Sequence, residues 1–116
     1  MEDLIQVFKE KGKLVRSGER YKIYDIDIGK RILSMTILHK GKETSGHSHE
    51  DAEELYLFIN GEGKIQIGNE NKNVKKGDII FIPKGDFHKV FNLGDNDLIF
   101  IAFFPKYSGY ETRGKN

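Results

Sequence analysis

Short apolar runs separated by turn residues organise this chain. In "YKIYDIDI" apolar and polar positions alternate after Tyr24, with Tyr24, Ile26 and Ile28 on one side. "RILSMTIL" is a second run, and "LYLFIN", "GKIQI", "DIIFI", "HKVFNL" and "LIFIAFF" follow. Between them lie "HKGKE", "NGEG", "GNENKN", "KKGD", "PKGD" and "LGDND", whose Gly, Asn, Asp and Pro content reads as turns. Many short strands at regular spacing predict an all-β sandwich or barrel. Only "EDLIQVFKE", near the N-terminus, passes for a helix. No fixed-period repeat, low-complexity tract or interior linker interrupts the pattern, and the 116 residues fit a single domain, 1–116. The polar segment 106–116 reads as a loosely held tail.

Two of the runs, "LYLFI" and "LIFIAFF", are apolar on both faces, where a strand with one wet face would alternate. One face can fill a barrel interior while the other packs on a second sheet or a second subunit. So short a chain has little else to cover both, which predicts a homodimer.

Composition narrows the partners. Lys+Arg 19 against Asp+Glu 18 leaves a formal net charge of +1, too little to draw in nucleic acid or an anionic membrane. The basic tracts "KEKGK" and "KNVKK" are interrupted and read as solvated faces or turns. The absence of cysteine excludes disulfides, thiolate zinc sites and cysteine nucleophiles. No apolar stretch has the length of a signal peptide or a membrane span, and the expectation is a cytoplasmic protein.

The candidate chemistry lies in "HSHEDAEELYLFINGEG", from His47 to Gly63. On a strand, His47 and His49 point the same way. Two adjacent carboxylates, Glu53 and Glu54, follow. A lone H-x-H is usually a surface accident, Glu53 and Glu54 would usually be solvated, and His88 after "PKGDF" reads by itself as a loop residue. The wider spacing says more. It runs Gly41-x5-His47-x-His49-x4-Glu54-x6-Gly61, then Gly77-x5-Pro83-x-Gly85-x2-His88-x3-Asn92.

These two blocks, 41–61 and 77–92, resemble the paired motifs of the cupin superfamily at every motif position. The resemblance implies a small single-domain cupin: a double-stranded β-helix, or jelly-roll β-barrel. It also implies one metal ion bound by His47, His49, Glu54 and His88. The donor chemistry agrees with that set. Three neutral imidazoles and a carboxylate suit a divalent transition metal such as Mn, Fe, Ni, Cu or Zn. Four protein ligands around an octahedral ion leave two positions open. His39 lies outside both motifs and receives no role.

Other positions carry mechanical readings. Gly61 and Gly63 flank Glu62 in a tight strand connection where positive φ is expected. Pro83 and Gly85 frame a turn that delivers His88 inward. Parity places Tyr56 and Phe58 on the face of Glu54, and Val90 and Asn92 on the face of His88. These four are the expected lining of a substrate pocket, with an apolar, aromatic wall and few polar groups. Tyr56 is the candidate for substrate contact; Phe58 and Val90 also read as core filler, and Asn92 as a structural hydrogen-bonding residue. No cationic or hydroxyl cluster stands out as a phosphate grip.

The fold hosts many chemistries, so three functions stay open. The preferred one is a metal-dependent enzyme acting on a small sugar or sugar acid by isomerase- or epimerase-like Lewis-acid chemistry. The span between the motifs leaves no long lid to shield oxygen intermediates, which disfavours the second, an Fe(II)- or Cu-dependent dioxygenase. The third is a non-catalytic module that binds a small ligand through its metal. No catalytic residue is assigned.

Overall fold

The computed structural model describes residues 2–107 and 109–112. Helix α1 (Glu2–Lys11) precedes nine strands: β1 (Lys13–Ser17), β2 (Tyr21–Asp27), β3 (Arg31–Leu38), β4 (Glu54–Asn60), β5 (Glu62–Ile67), β6 (Glu70–Lys75), β7 (Ile79–Ile82), β8 (His88–Asn92) and β9 (Leu98–Pro105). A 3-10 turn, Tyr110–Thr112, follows. The strands form two antiparallel sheets, ordered β1-β2-β3-β9-β4-β7 and β6-β5-β8. This is an all-β jelly roll with one added helix.

Alternation explains both layers of apolar packing. On β3, Ile32 and Leu38 face the space between the sheets, where they join Phe58, Ile65, Val90, Leu98, Phe100 and Phe104 in the main core. Met35 and Ile37 face the other way and meet Phe8 of α1, together with Ile59 and Ile99. Phe8 is buried, so the helix covers this half of the sheet's outer face. Each such side chain contributes roughly 1.5–3 kcal/mol by leaving water. The other half is bare. Leu55, Leu57, Ile79, Phe81 and Phe103 are 37–64% exposed, and the register sets Leu55 opposite both Phe81 and Phe103, and Leu57 opposite Ile79.

Two strands go beyond the sequence expectation. "GNENKN" reads as a turn, yet β6 occupies most of it, pairing Glu70 with Ile67 and Lys75 with Glu62. Only Val74 of β6 is buried, so the strand has no apolar alternation to show. β1 is likewise a mostly exposed edge strand. The helix over Glu2–Lys11 matches its expectation.

The C-terminal segment also differs from a loose tail as far as it is described. Lys106 Nζ sits 2.7 Å from the Asp27 carboxylate, and the Tyr110 hydroxyl donates to Asp25 Oδ2 at 2.9 Å. Tyr107 packs on Phe104 and Tyr110. Aromatic area and two polar ties hold a stretch whose polar composition hides them. Residues 113–116 of the expected tail lie outside the described residues.

Candidate metal centre

Three elements bring the histidines and the glutamate together. Glu54 opens β4 in the six-stranded sheet and is buried, whereas Glu53, one residue earlier, is exposed. His88 opens β8 in the three-stranded sheet and is 2% exposed. His47 and His49 lie in the irregular segment between β3 and β4 rather than on a regular strand. His47 nevertheless forms an isolated antiparallel bridge with His88. Its N–H donates to the His88 carbonyl at 3.1 Å, and the His88 N–H donates back at 2.9 Å. Gly46 makes this approach possible. Its φ is +77°, and a Cβ there would fall 2.6 Å from the Phe87 ring.

The donor atoms converge on one oxygen. Glu54 Oε2 is 2.9 Å from His88 Nε2, 3.7 Å from His47 Nε2 and 3.9 Å from His49 Nε2. The donor atoms of His47, His49 and Glu54 all lie within 4.8 Å of one another. Ligands about 2.1 Å from a shared ion are spaced about 3 to 4 Å apart, so the separations suit a common centre. His88 joins this trio through Glu54, and its ring centroid is 4.3 Å from that of His47 and 6.4 Å from that of His49.

His88 Nδ1 is 3.1 Å from the Asp86 carbonyl. A carbonyl only accepts, so Nδ1 carries the hydrogen, and a neutral His88 presents a lone pair at Nε2. That lone pair faces the Glu54 carboxylate. Both Nε2 and Oε2 are sealed from solvent and lack an aligned hydrogen-bond partner. Two electron-rich atoms in such a place require positive charge, supplied by a second proton on His88 or by a cation. Anchoring of the far ring nitrogen by a carbonyl is also how metal-ligating histidines are oriented. The four residues fit the group. Burial alone would raise the Glu54 pKa; the neighbouring His47 and His88 outweigh it and lower the carboxyl from 4.5 to about 2.

The centre opens on a cavity of about 520 Å³, lined by His47, His49, Glu54 and Tyr56 on one side. Phe58, Val90 and Asn92 do not line this cavity. Phe58 and Val90 are core residues at 0% and 1% exposure. Asn92 is consumed by structure: its amide donates to the carbonyls of Leu38 and Asn96, and its Oδ1 accepts from the Gly94 N–H. They share the inward face with His88 and Glu54 but lie where the sheets close together. The wall is also more polar than expected. Ser34, Thr36, Tyr21, Thr44, Ser45 and Arg16 line it alongside Ile23, Phe100 and Ala102. β1–β3 and the loop before His47 supply these groups, so parity along β4 and β8 could not reveal them. Tyr107, from the C-terminal segment, completes the wall by stacking on His49.

The chain belongs to the cupin family. A sequence model of the cupin domain matches residues 34–104, a stretch that includes both motifs. An uncharacterized protein of Methanocaldococcus jannaschii is 38% identical over 84 residues, 72% of this chain and 67% of that one. An oxalate-binding protein of Thermotoga maritima is 32% identical over 72 residues, 62% of this chain. A glucose-6-phosphate isomerase of Thermococcus onnurineus is 29% identical across 78% of this chain. The matches span 60% and 57% of the lengths of the last two relatives. Among solved structures, a predicted oxalate decarboxylase of Thermotoga maritima superposes with a TM-score of 0.67 at 22% identity, covering 82% of this chain and 91% of that one. At that identity the likeness speaks for the fold. Among the described residues, no helix is long and apolar enough to cross a membrane.

Proposed function

We propose that the chain binds one divalent transition metal through His47, His49, Glu54 and His88 and acts on a small oxygen-rich molecule, such as a sugar or sugar acid, by isomerase- or epimerase-type chemistry. The observation that carries this reading is the sealed pair Glu54 Oε2 and His88 Nε2, 2.9 Å apart without a hydrogen bond, beside two further imidazoles at the wall of a cavity. When bound there, such a metal supplies Lewis-acid polarisation of a carbonyl or hydroxyl oxygen. The chain's own residues hold and orient the ligand. The hydroxyl-bearing residues Tyr21, Ser34 and Thr36 give the wall polar groups on the side of its oxygens, and Tyr56 and Phe100 give its carbon skeleton an apolar wall. The oxalate and glucose 6-phosphate in the relatives' names are small, oxygen-dense molecules, which supports the same class here. We also infer that the bare patch of Leu55, Leu57, Ile79, Phe81 and Phe103 is covered by a second copy of the chain.

The test loads the protein separately with Mn(II), Zn(II) and Fe(II) and screens sugars and sugar acids without oxygen. Anaerobic turnover with Mn(II) or Zn(II) supports the proposal. Dioxygen uptake that depends on substrate and on Fe(II) overturns the reaction class. The relative named as an oxalate-binding protein favours a second reading, binding without turnover. Saturable binding of one compound with no product under any metal would establish it.

A further inference from the structure

Arg16 is a half-buried cation in the wall of the cavity that holds the candidate metal centre. A backbone irregularity puts it there. Leu14 pairs with Tyr24, but Arg16 pairs with Ile23, so Val15 is an extra residue in β1. Without this bulge Arg16 would stand opposite Lys22, on the exposed side of β2. With it, Arg16 stands opposite Ile23, which lines the cavity. Bulges on edge strands commonly re-aim a side chain in this way.

The surroundings of Arg16 hold its guanidinium without neutralising it. Its Cζ lies 5.3 Å from the centre of the Tyr21 ring. Arg20 lies over the same ring at 5.2 Å and donates to Ser45 Oγ at 2.9 Å, so a second cation stands close by with part of its donor set engaged. Among the described residues, the ion pairs formed by carboxylates involve lysines and histidines and reach neither arginine. Arg16 lines the cavity together with the buried hydroxyl-bearing residues Ser34 and Thr36, and it also borders a shallow groove with Glu19, Arg20 and Tyr21, with no ion pair to Glu19. A guanidinium without a carboxylate, sheltered by an aromatic ring in a partly enclosed cavity, matches a carboxylate or phosphate in charge and shape.

We propose that Arg16 is the anion-recognising residue of the cavity: it binds the carboxylate or phosphate of a small hydroxylated molecule whose other oxygens reach the His47, His49 and Glu54 side. The second half of this statement rests on the metal reading above; the role of Arg16 does not.

Calorimetric titration of glucuronate, glucose 6-phosphate and neutral glucose into metal-loaded protein tests it, with metal uptake measured separately. The native chain should bind at least one anionic probe more tightly than glucose. Arg16→Gln should weaken that binding about ten- to a hundredfold, the range for one charge-assisted contact, and leave glucose unchanged. Arg16→Lys, which keeps the charge but not the fork, should retain more affinity for the phosphate than for the carboxylate. Which anion loses affinity tells a sugar acid from a sugar phosphate. Equal affinity of both anions and glucose, no binding of either anion, or anion binding untouched in Arg16→Gln overturns the proposal. Thermal melts of both variants exclude misfolding, to which an edge strand is tolerant. Should the chain take up no metal, the metal reading fails, and the same titrations on metal-free protein still decide the role of Arg16.

Discussion

The Tyr107 ring stacks on the His49 imidazole, with centroids 4.0 Å apart and planes 22° from parallel. A residue beyond the last strand thus packs on a candidate metal ligand, in a segment tied down through Tyr110 and Asp25. Stacked aromatic pairs contribute roughly 0.5–1.5 kcal/mol beyond area burial. Tyr107→Ala should weaken metal binding by about two- to tenfold, and Tyr107→Phe should restore it. Competition with a chromogenic chelator measures both. Equal affinities in all three proteins would mean that the stack does not orient His49.

Glu53 and Glu54 should respond in opposite ways. Glu54 is buried among the histidines and Glu53 faces solvent. Glu54→Ala removes the one carboxylate of the set and should cost about a hundredfold or more in metal affinity, since even outer partners of ligands cost about 10–100-fold. Glu53→Ala should be neutral. The reverse pattern would shift the register of β4 by one residue.

Acid should act on the metal-free chain through Glu54. Its folded pKa is about 2, against an ordinary 4.5. A depressed carboxyl stabilises the fold fully above its unfolded value, and that contribution is lost as pH falls through the folded one. The window is thus from about 4.5 down to about 2, and the loss is on the order of 3 kcal/mol. Urea melts of metal-stripped native protein and Glu54→Gln, compared across this window, isolate the effect; parallel curves would contradict it. Metal affinity should also fall on acidification, because imidazoles must be neutral to ligate.

The bare patch should govern association. Light scattering should report a dimer for the native chain. Phe81→Glu, which places a charge among Leu55, Ile79 and Phe103, should give a monomer with the metal affinity intact. A native chain that is monomeric at micromolar concentration would refute the inferred pairing.

Much of the fold could be read from the chain because it is written in local periodicity, whereas the candidate centre was legible through the spacing that resembles the paired cupin motifs. Glu54 begins an apolar run, and this separates it from Glu53; His88 begins another. The parts that escaped were set by tertiary context. β6 buries only Val74 and therefore has no pattern to read. Phe58, Val90 and Asn92 share a face with the ligands, yet parity gives only the side of a sheet and not the depth along the barrel. Most of the polar wall escaped because Arg16, Tyr21, Ser34 and Thr36 lie on β1–β3, outside the motifs, and Arg16 turns inward only by virtue of the bulge at Val15. Tyr107 sits in a sequence whose polarity conceals two aromatic contacts. The expected homodimer rested on strands apolar on both faces, and α1 accounts for half of that apolar surface within the chain itself.

Glu54 belongs to one sheet and His88 to the other. An ion held by both would act as a rivet between the layers, and parting them would then require releasing it. Amide hydrogens of β4 and β8 should consequently slow their exchange together when metal is added, although no backbone hydrogen bond joins these strands. The same ion would pin the loop that carries His47 and His49, part of the cavity wall, to β4, so metal occupancy would set how far that wall breathes. Ligand on-rates, and not only affinities, would then carry the imprint of the ion.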